Sequence, residues 1–130
     1  MANSETERRA IEFVMQRERD AGRLPEDVSR KGAPFDISSP PRKIEVKAFG
    51  GSARGAPVPL EERQVKEAAS DPANFYLYVV DNVTTGDGSK IAVREIHGSL
   101  LSSMLERSTP HITYWPTLRI GEYDGLATEG

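Results

Sequence analysis

The sequence predicts an α/β domain of the α+β kind, in which a mixed sheet is flanked by helices. Residues 43–48 alternate polar and apolar side chains, which is typical of a half-buried strand. Residues 75–80 are almost continuously apolar and aromatic, as in a central strand covered on both faces. Helical patterns over 4–21 and 61–70 precede and separate these strands, which favours helices packed on a mixed sheet.

The first predicted helix begins at a capping box and ends at a glycine. Ser4 and Glu7 have the Ser-x-x-Glu spacing of that box, and Gly22 stands where a helix commonly stops. At 100° per residue one stripe of the helix is apolar and should be buried. That stripe comprises Ala10, Ile11, Val14 and Met15.

Glu18 falls on the same inward stripe, four residues after Val14. A carboxylate in that position must be paired, hydrogen-bonded or bound to a metal ion. Two interpretations stay open from the residues alone. Glu18 either ligates a metal or forms an ion pair near the helix end with an arginine such as Arg23.

The next segments are a loop, two strands and a glycine-rich stretch. Prolines and glycines predict a loop over residues 23–34, and a Pro-Pro break separates strands at 35–39 and 43–48. Residues 50–55 are rich in glycine and follow the second strand directly. They form either a plain linker or a mobile arm that brings backbone amides and Arg54 to a phosphate.

The remaining elements follow from periodicity and turn residues. They are a strand at 58–60, a helix at 61–70 with Gln64 near its start, a strand at 75–80, a turn at 85–88, a strand at 90–96, a helix at 99–107 and a tail of uncertain order at 108–130. Residues 1–107 are therefore predicted to form a single domain, long enough for a modest core.

Composition limits the classes of protein. The 130 residues are 28% charged and 37% hydrophobic, which indicates a globular chain. Cysteine is absent, which excludes disulfides, thiolate metal sites and a cysteine nucleophile. The charged start has no signal-peptide pattern, and no apolar run approaches the roughly 20 residues of a membrane span. We expect a cytoplasmic protein without a membrane partner.

Charge is unevenly distributed along the chain. Residues 1–70 hold 13 basic and 12 acidic side chains, whereas residues 71–130 hold 4 and 8. A net charge of −3 is unusual for a nucleic-acid-binding protein, so such binding would need a local basic face. The first half supplies candidates for that face, among them Arg42, Lys43 and Arg54.

Charged side chains converge on one edge of the predicted sheet. Glu45 and Lys47 share a face of their strand because they are two residues apart, and Asp36 on the preceding strand lies within reach of Glu45. Two carboxylates suit Mg²⁺, and the lysine could orient a water or offset phosphate charge. The alternative is a solvated strand face whose charges only help strand pairing.

Several ordered motifs carry a resemblance to a known family. They are Ala-Ile-Glu-Phe-Val-Met-Gln-Arg-Glu-Arg-Asp-Ala-Gly-Arg, Glu-Asp-Val-Ser, Phe-Asp-Ile-Ser-Ser, Ile-Glu-Val-Lys-Ala, Pro-Val-Pro-Leu and Phe-Tyr-Leu-Tyr-Val-Val. Over about residues 10–100 the chain resembles the NO VEIN C-terminal domain, also called DUF3883. That domain looks like a branch of the PD-(D/E)xK nuclease superfamily, which implies a restriction-endonuclease-like fold with core order α-β-β-β-α-β plus an extra strand and helix.

The resemblance also implies roles for individual residues. The implied ligands of Mg²⁺, or of Mn²⁺, are Asp36, Glu45, the Val46 carbonyl and Glu18. Lys47 matches the lysine placed near the attacking water, and Gln64 sits where a helix-borne polar residue often faces the site.

Two functions are carried forward from the sequence. The first is a metal-dependent nuclease that hydrolyses DNA, with RNA not excluded, in defence against or processing of foreign DNA. The second is an inactive module of the same fold that binds nucleic acid or a partner protein. We also expect a homodimer, formed through the strand at 90–96 or through the tail around Trp115.

Overall fold

A five-stranded mixed sheet forms the centre of the computed structural model, which describes residues 4–85 and 90–129. The elements along the chain are α1 (Ser4–Asp20), β1 (Glu26–Asp27), β2 (Ile37–Ser39), β3 (Arg42–Ala48), α2 (Glu62–Ser70), β4 (Phe75–Asp81), a 3₁₀ turn (Val83–Thr85), β5 (Ala92–Ile96), α3 (Gly98–Arg107) and α4 (Ile120–Gly125). The strands lie in sequence order across the sheet. Strands β3 and β4 are parallel and the other neighbours antiparallel, so the predicted mixed sheet with flanking helices is confirmed.

The sheet separates two apolar cores, because side chains alternate between its faces. Ile44 and Val46 of β3 pack with Tyr78 and Val80 of β4 beneath α1. Phe75, Leu77 and Val79 of β4 face the opposite side and pack against α2 and α3. Residues of even number in β3 therefore serve the α1 core, and Glu45, between Ile44 and Val46, faces the α2 side.

Helix α1 follows its sequence pattern closely. Ala10 and Val14 are fully buried, and Ile11 and Met15 pack partly against the same core. Gly22 follows the helix end with a φ of 86°, a left-handed conformation that glycine adopts without strain.

The strand predicted at 58–60 is wrong. Pro57 and Pro59 lack the N–H donors that a strand ladder needs, and the segment is irregular in the structure. Val58 and Leu60 instead pack against the α2-side core. Three strands still precede α2, because the predicted loop at 23–34 contains β1, which pairs with β2 at the sheet edge.

The second half of the chain also departs in detail from expectation. Strand β5 begins at Ala92, two residues later than predicted. Thr85 ends the 3₁₀ turn, and the rest of the turn predicted at 85–88 lies outside the described residues.

After α3, residues 108–119 have neither helix nor strand, and α4 follows. Every residue from 108 to 129 is exposed. Within the described ranges, no helix is long and apolar enough to cross a membrane.

Candidate functional site

Asp36, directly before β2, stands beside Glu45 on β3, which is the central strand of the sheet and not the edge that the sequence predicts. Ile37 pairs with Ile44, and the Asp36 amide donates a hydrogen bond of 2.9 Å to the Ile44 carbonyl, so Asp36 stands beside Glu45. The Asp36 carboxylate also accepts a 2.9 Å hydrogen bond from the Val46 amide at Oδ2. This bond fixes the Asp36 side chain against β3.

Glu45 is buried, and only one of its two carboxylate oxygens has a partner among the described residues. The residue is 4% exposed, and its Oε2 lies 3.3 Å from the Lys47 ammonium nitrogen. Its Oε1 is buried and accepts no hydrogen bond from any described residue. A buried carboxylate oxygen without a donor is costly unless a proton or a cation satisfies it.

The two carboxyl groups interact electrostatically. Burial and the Asp36 charge raise the pKa of Glu45 to about 7, although Lys47 acts in the opposite direction. Burial also raises the pKa of Asp36, against the hydrogen bond from the Val46 amide, which lowers it. Like charges this close compete for one proton in the absence of a cation, and a bound divalent ion could replace that proton.

The donors at this site fit Mg²⁺ or Mn²⁺ in part. Asp36 and Glu45 offer hard oxygen ligands, and the unpartnered Glu45 Oε1 is the atom that a cation would satisfy. The Val46 amide donates to Asp36, and the Val46 carbonyl faces the same side of β3, since the N–H and C=O of a strand residue point to the same neighbour. Within residues 4–85 and 90–129, no three His, Cys, Asp or Glu side chains group as a metal site, so water or substrate oxygens would complete the shell.

Glu18 lies on the opposite face of the sheet from Glu45. Its carboxylate accepts hydrogen bonds from Arg23 Nε (2.5 Å), Ser39 Oγ (2.9 Å) and Tyr78 Oη (2.9 Å). Burial raises the pKa of Glu18, but the bonds from Arg23, Tyr78 and Ser39 outweigh it and hold that pKa below the usual range. The structure therefore does not bring Glu18 to Asp36, and the ion pair with Arg23 accounts for its burial.

Gln64 lies in the first turn of α2 and is buried. Its side-chain oxygen accepts a 2.9 Å hydrogen bond from the Glu61 amide at the helix start. This contact gives Gln64 a capping function, and its role at the candidate site stays a prediction.

Two of the three predicted nucleic-acid contacts are engaged within the protein. Arg42 lies 4.1 Å above the Tyr76 ring and donates hydrogen bonds to Tyr78 (2.6 Å) and Glu95 (2.8 Å), on the α1 face. Lys43 on the α2 face forms ion pairs with two acidic side chains. These are Glu67 at 2.7 Å and Asp71 at 3.0 Å.

Arg54 is exposed on the glycine-rich loop that follows β3. That loop is attached to the turn after β4 rather than free. The Ala53 amide donates to Asp81 Oδ1 at 3.1 Å, and the Thr84 amide and hydroxyl both donate to the Gly50 carbonyl. Arg54 is thus carried on a loop with fixed ends near the carboxyl end of β3.

Asp81 was not singled out from the sequence. It is 6% exposed at the end of β4, where it also accepts a 2.7 Å hydrogen bond from Arg94. The available signal was a carboxylate closing an apolar run, directly before the loop residue Asn82. The sequence pattern places Tyr78 in the core and does not reveal its hydroxyl's partner, because Glu18 is 60 positions away.

Comparison with known proteins gives a family for the chain. Neither the curated proteins nor the solved structures contain a match. The model of the family described as "Protein NO VEIN, C-terminal" matches residues 6–96, which include Asp36, Glu45, Lys47 and β1 to β5. The sequence resemblance is thereby confirmed, and the chain belongs to the NO VEIN C-terminal domain family.

Proposed function

We propose that the chain is a metal-dependent nuclease that hydrolyses DNA phosphodiester bonds. The observation that carries the proposal is the buried Glu45 Oε1, beside Asp36 and Lys47, which accepts no hydrogen bond from the described residues. A structural site would normally satisfy such an oxygen. Membership of the PD-(D/E)xK superfamily and a role toward foreign DNA belong to the same proposal.

In this proposal each side chain has a defined task. Asp36 and Glu45, with the Val46 carbonyl, hold Mg²⁺ or Mn²⁺, which would polarise a phosphoryl oxygen and favour ionisation of water. Lys47 is 22% exposed, so its ammonium group can reach both Glu45 and a bound phosphate. There it orients water or offsets developing negative charge.

Substrate positioning falls to the loop after β3. Arg54 is exposed, and its side chain forms no ion pair with the described residues, so it is free to contact phosphate. Arg42 and Lys43 contribute less, because each is already paired with carboxylates. Metal ions would supply part of the positive charge that this acidic chain lacks.

Cleavage assays test the proposal directly. Purified chain is incubated with plasmid, linear and single-stranded DNA in Mg²⁺ or Mn²⁺. Lys47→Ala should lose about 10²-fold or more in rate while retaining metal binding. Glu45→Ala should lose both, whereas the control variants Glu62→Ala and Lys66→Ala, an exposed pair on α2, should cleave like wild type. Absence of cleavage by wild type at enzyme excess, or activity that survives Glu45→Ala, would contradict the assignment.

The second candidate is a module of the same fold that binds nucleic acid or a partner protein without cutting. Its support is the internal pairing of Arg42 and Lys43, and the candidate site holds only two carboxylates of the part of the chain that the structure describes. Calorimetry separates the two candidates. Metal binding at Asp36 and Glu45 favours the nuclease, and DNA or protein binding without measurable metal binding favours the module.

A further inference from the structure

An apolar groove of about 450 Å³ lies between α2 and α3, away from Asp36 and Glu45. Its walls are mainly Val65, Ala68, Ala69 and Pro72 on the α2 side and Leu101 and Leu105 on α3. Ala69 is exposed and Val65 and Leu105 are half-buried, so the groove is open to solvent. An open apolar groove is a surface that another apolar segment can cover.

The C-terminal tail, residues 108–129, is such a segment. Its large apolar side chains are exposed over a short length of chain. They are Ile112, Tyr114, Trp115, Leu118, Ile120, Tyr123 and Leu126. Trp115 is 88% exposed and Tyr114 84%, although Trp is highly buried on average and Tyr is intermediate. Soluble monomers rarely leave so many large apolar groups uncovered.

Groove and tail share one further property. The family match ends at residue 96, whereas α3 spans Gly98–Arg107 and the tail follows it directly. The α3 wall and the tail therefore both lie outside the matched residues, on the same chain, and each is open to solvent.

We propose that the tail of one copy packs into the α2–α3 groove of a second copy, in a reciprocal exchange. Each chain would then supply a tail and a groove, which is the self-complementary arrangement of a two-fold dimer. The contact is independent of the candidate nuclease site and holds whether or not the chain cleaves DNA.

The path of the tail favours a second copy over its own groove. Ser108 has φ −77° and ψ 153°, an extended conformation that ends α3, and no residue from 108 to 129 lines the groove of its own chain. Pro110 and Pro116 hold the residues before them extended as well, which opposes an early reversal of the chain. A tail that continues outward from α3 reaches another molecule more readily than the groove beside its own start.

The available area is sufficient for a specific dimer. A buried Tyr or Trp removes about 150–250 Å² from solvent, so the three aromatic side chains of one tail supply roughly 500 Å². Two tails, with the groove surfaces that they cover, approach the roughly 1,600 Å² of a standard interface. The four aliphatic side chains of each tail add to that area.

The fluorescence of Trp115 tests the proposal in the full chain, because it is the only tryptophan. Emission is recorded over a dilution series together with molar mass by light scattering. We expect blue-shifted emission and a mass approaching twice that of one chain at high concentration, with both reverting together on dilution. Blue-shifted emission at a constant monomer mass would mean docking in the tail's own groove. Red-shifted emission at every concentration would mean no docking, and either result overturns the proposal.

Matched variants identify the groove as the contact. Ser102 lines the groove and Ser103, its neighbour on α3, does not, and both are exposed. Ser102→Arg should raise the dimer dissociation constant at least 10-fold, and Ser103→Arg should leave it within 2-fold of wild type. Trp115→Ala should abolish the dimer without lowering the melting temperature of the dilute chain. Equal dissociation constants for the two arginine variants, or a dimer that survives Trp115→Ala, would place the contact elsewhere.

Discussion

Two buried glutamates of this chain have opposite surroundings. Glu18 is fully buried and accepts hydrogen bonds from Arg23, Ser39 and Tyr78. Glu45 is nearly as buried, yet one of its oxygens has no donor among the described residues and the other faces only Lys47. The first arrangement stabilises the charged form of a glutamate, and the second favours a proton or a cation.

The surroundings of Glu45 predict a pH dependence of stability. Its pKa of about 7 lies above the ordinary 4.5, so in this pH range the folded chain binds more protons than the unfolded chain. The free energy of unfolding of the metal-free protein should therefore fall between about pH 4.5 and 7, by on the order of 3 kcal/mol for this group. The measurement is urea unfolding in EDTA at several pH values. Glu45→Gln should remove this part of the slope, and equal slopes in the two proteins would contradict the prediction.

Glu18, in contrast to Glu45, should stabilise the fold in its charged form, because its pKa is lowered and Arg23 pairs with it. Replacing it with glutamine leaves the Arg23 guanidinium without its charged partner, so Glu18→Gln should cost about 3 kcal/mol of stability. Metal affinity should not change, because Glu18 lies across the sheet from Asp36. Glu12→Gln, which removes an exposed ion pair with Arg8 on the same helix, is the control and should cost no more than about 1 kcal/mol. Loss of metal binding in folded Glu18→Gln would return this residue to the metal site.

At the scale of elements, Asp81 connects β4 to the glycine-rich loop after β3. Asp81→Ala removes the acceptor of the Ala53 amide, so hydrogen exchange at Ala53 should become faster by an order of magnitude or more. Arg94→Ala is the matched control, since it removes only the largely exposed partner of Asp81 and should leave the Ala53 amide protected. If the proposed nuclease is correct, Asp81→Ala should also weaken DNA binding while preserving metal affinity. Unchanged exchange at Ala53 would show that other contacts hold the loop.

Elements with dense local signals were predictable from the sequence. Helix α1 combines a regular apolar stripe with Gly22, and β3 shows strict alternation, so both appeared close to their true bounds. Strand β1 has two exposed residues and depends on its partner β2, a tertiary contact without a local signature. The strand prediction at 58–60 fails because Val58 and Leu60 suit a strand, whereas the adjacent prolines cannot donate to its ladder.

The sequence predicted correctly that Asp36, Glu45 and Lys47 lie together, but it could not place Glu18 relative to them. Alternation placed Glu45 and Lys47 on one face, and a preceding strand brought Asp36 beside them. Helical periodicity predicted that Glu18 faces the protein interior, and Glu18 is buried. The sequence does not show which face of the sheet α1 covers. That topological fact separates Glu18 from Glu45 and was available only from the fold.

At the scale of the whole molecule, the tail should be separable from the domain. Residues 108–129 are entirely exposed, so a chain ending at Arg107 should melt within about 2 °C of dilute full-length protein. At higher protein concentration the melting temperature should rise for the full-length chain and stay constant for the truncated one, because association stabilises the folded state by mass action. Scanning calorimetry at two concentrations measures both effects. A truncated chain that melts far below the dilute full-length chain would show that the tail supports the core.

The alternation of β3 has a consequence for how this domain could change over generations. Even-numbered positions of the strand hold the fold together, and odd-numbered positions carry Glu45 and Lys47. If the proposed nuclease is correct, the single replacement Glu45→Gln would silence it, and relief of the repulsion between Glu45 and Asp36 would offset the lost ion pair with Lys47. The proposed nuclease and the inactive binding module would then differ by one substitution, so a single mutation could convert the first into the second.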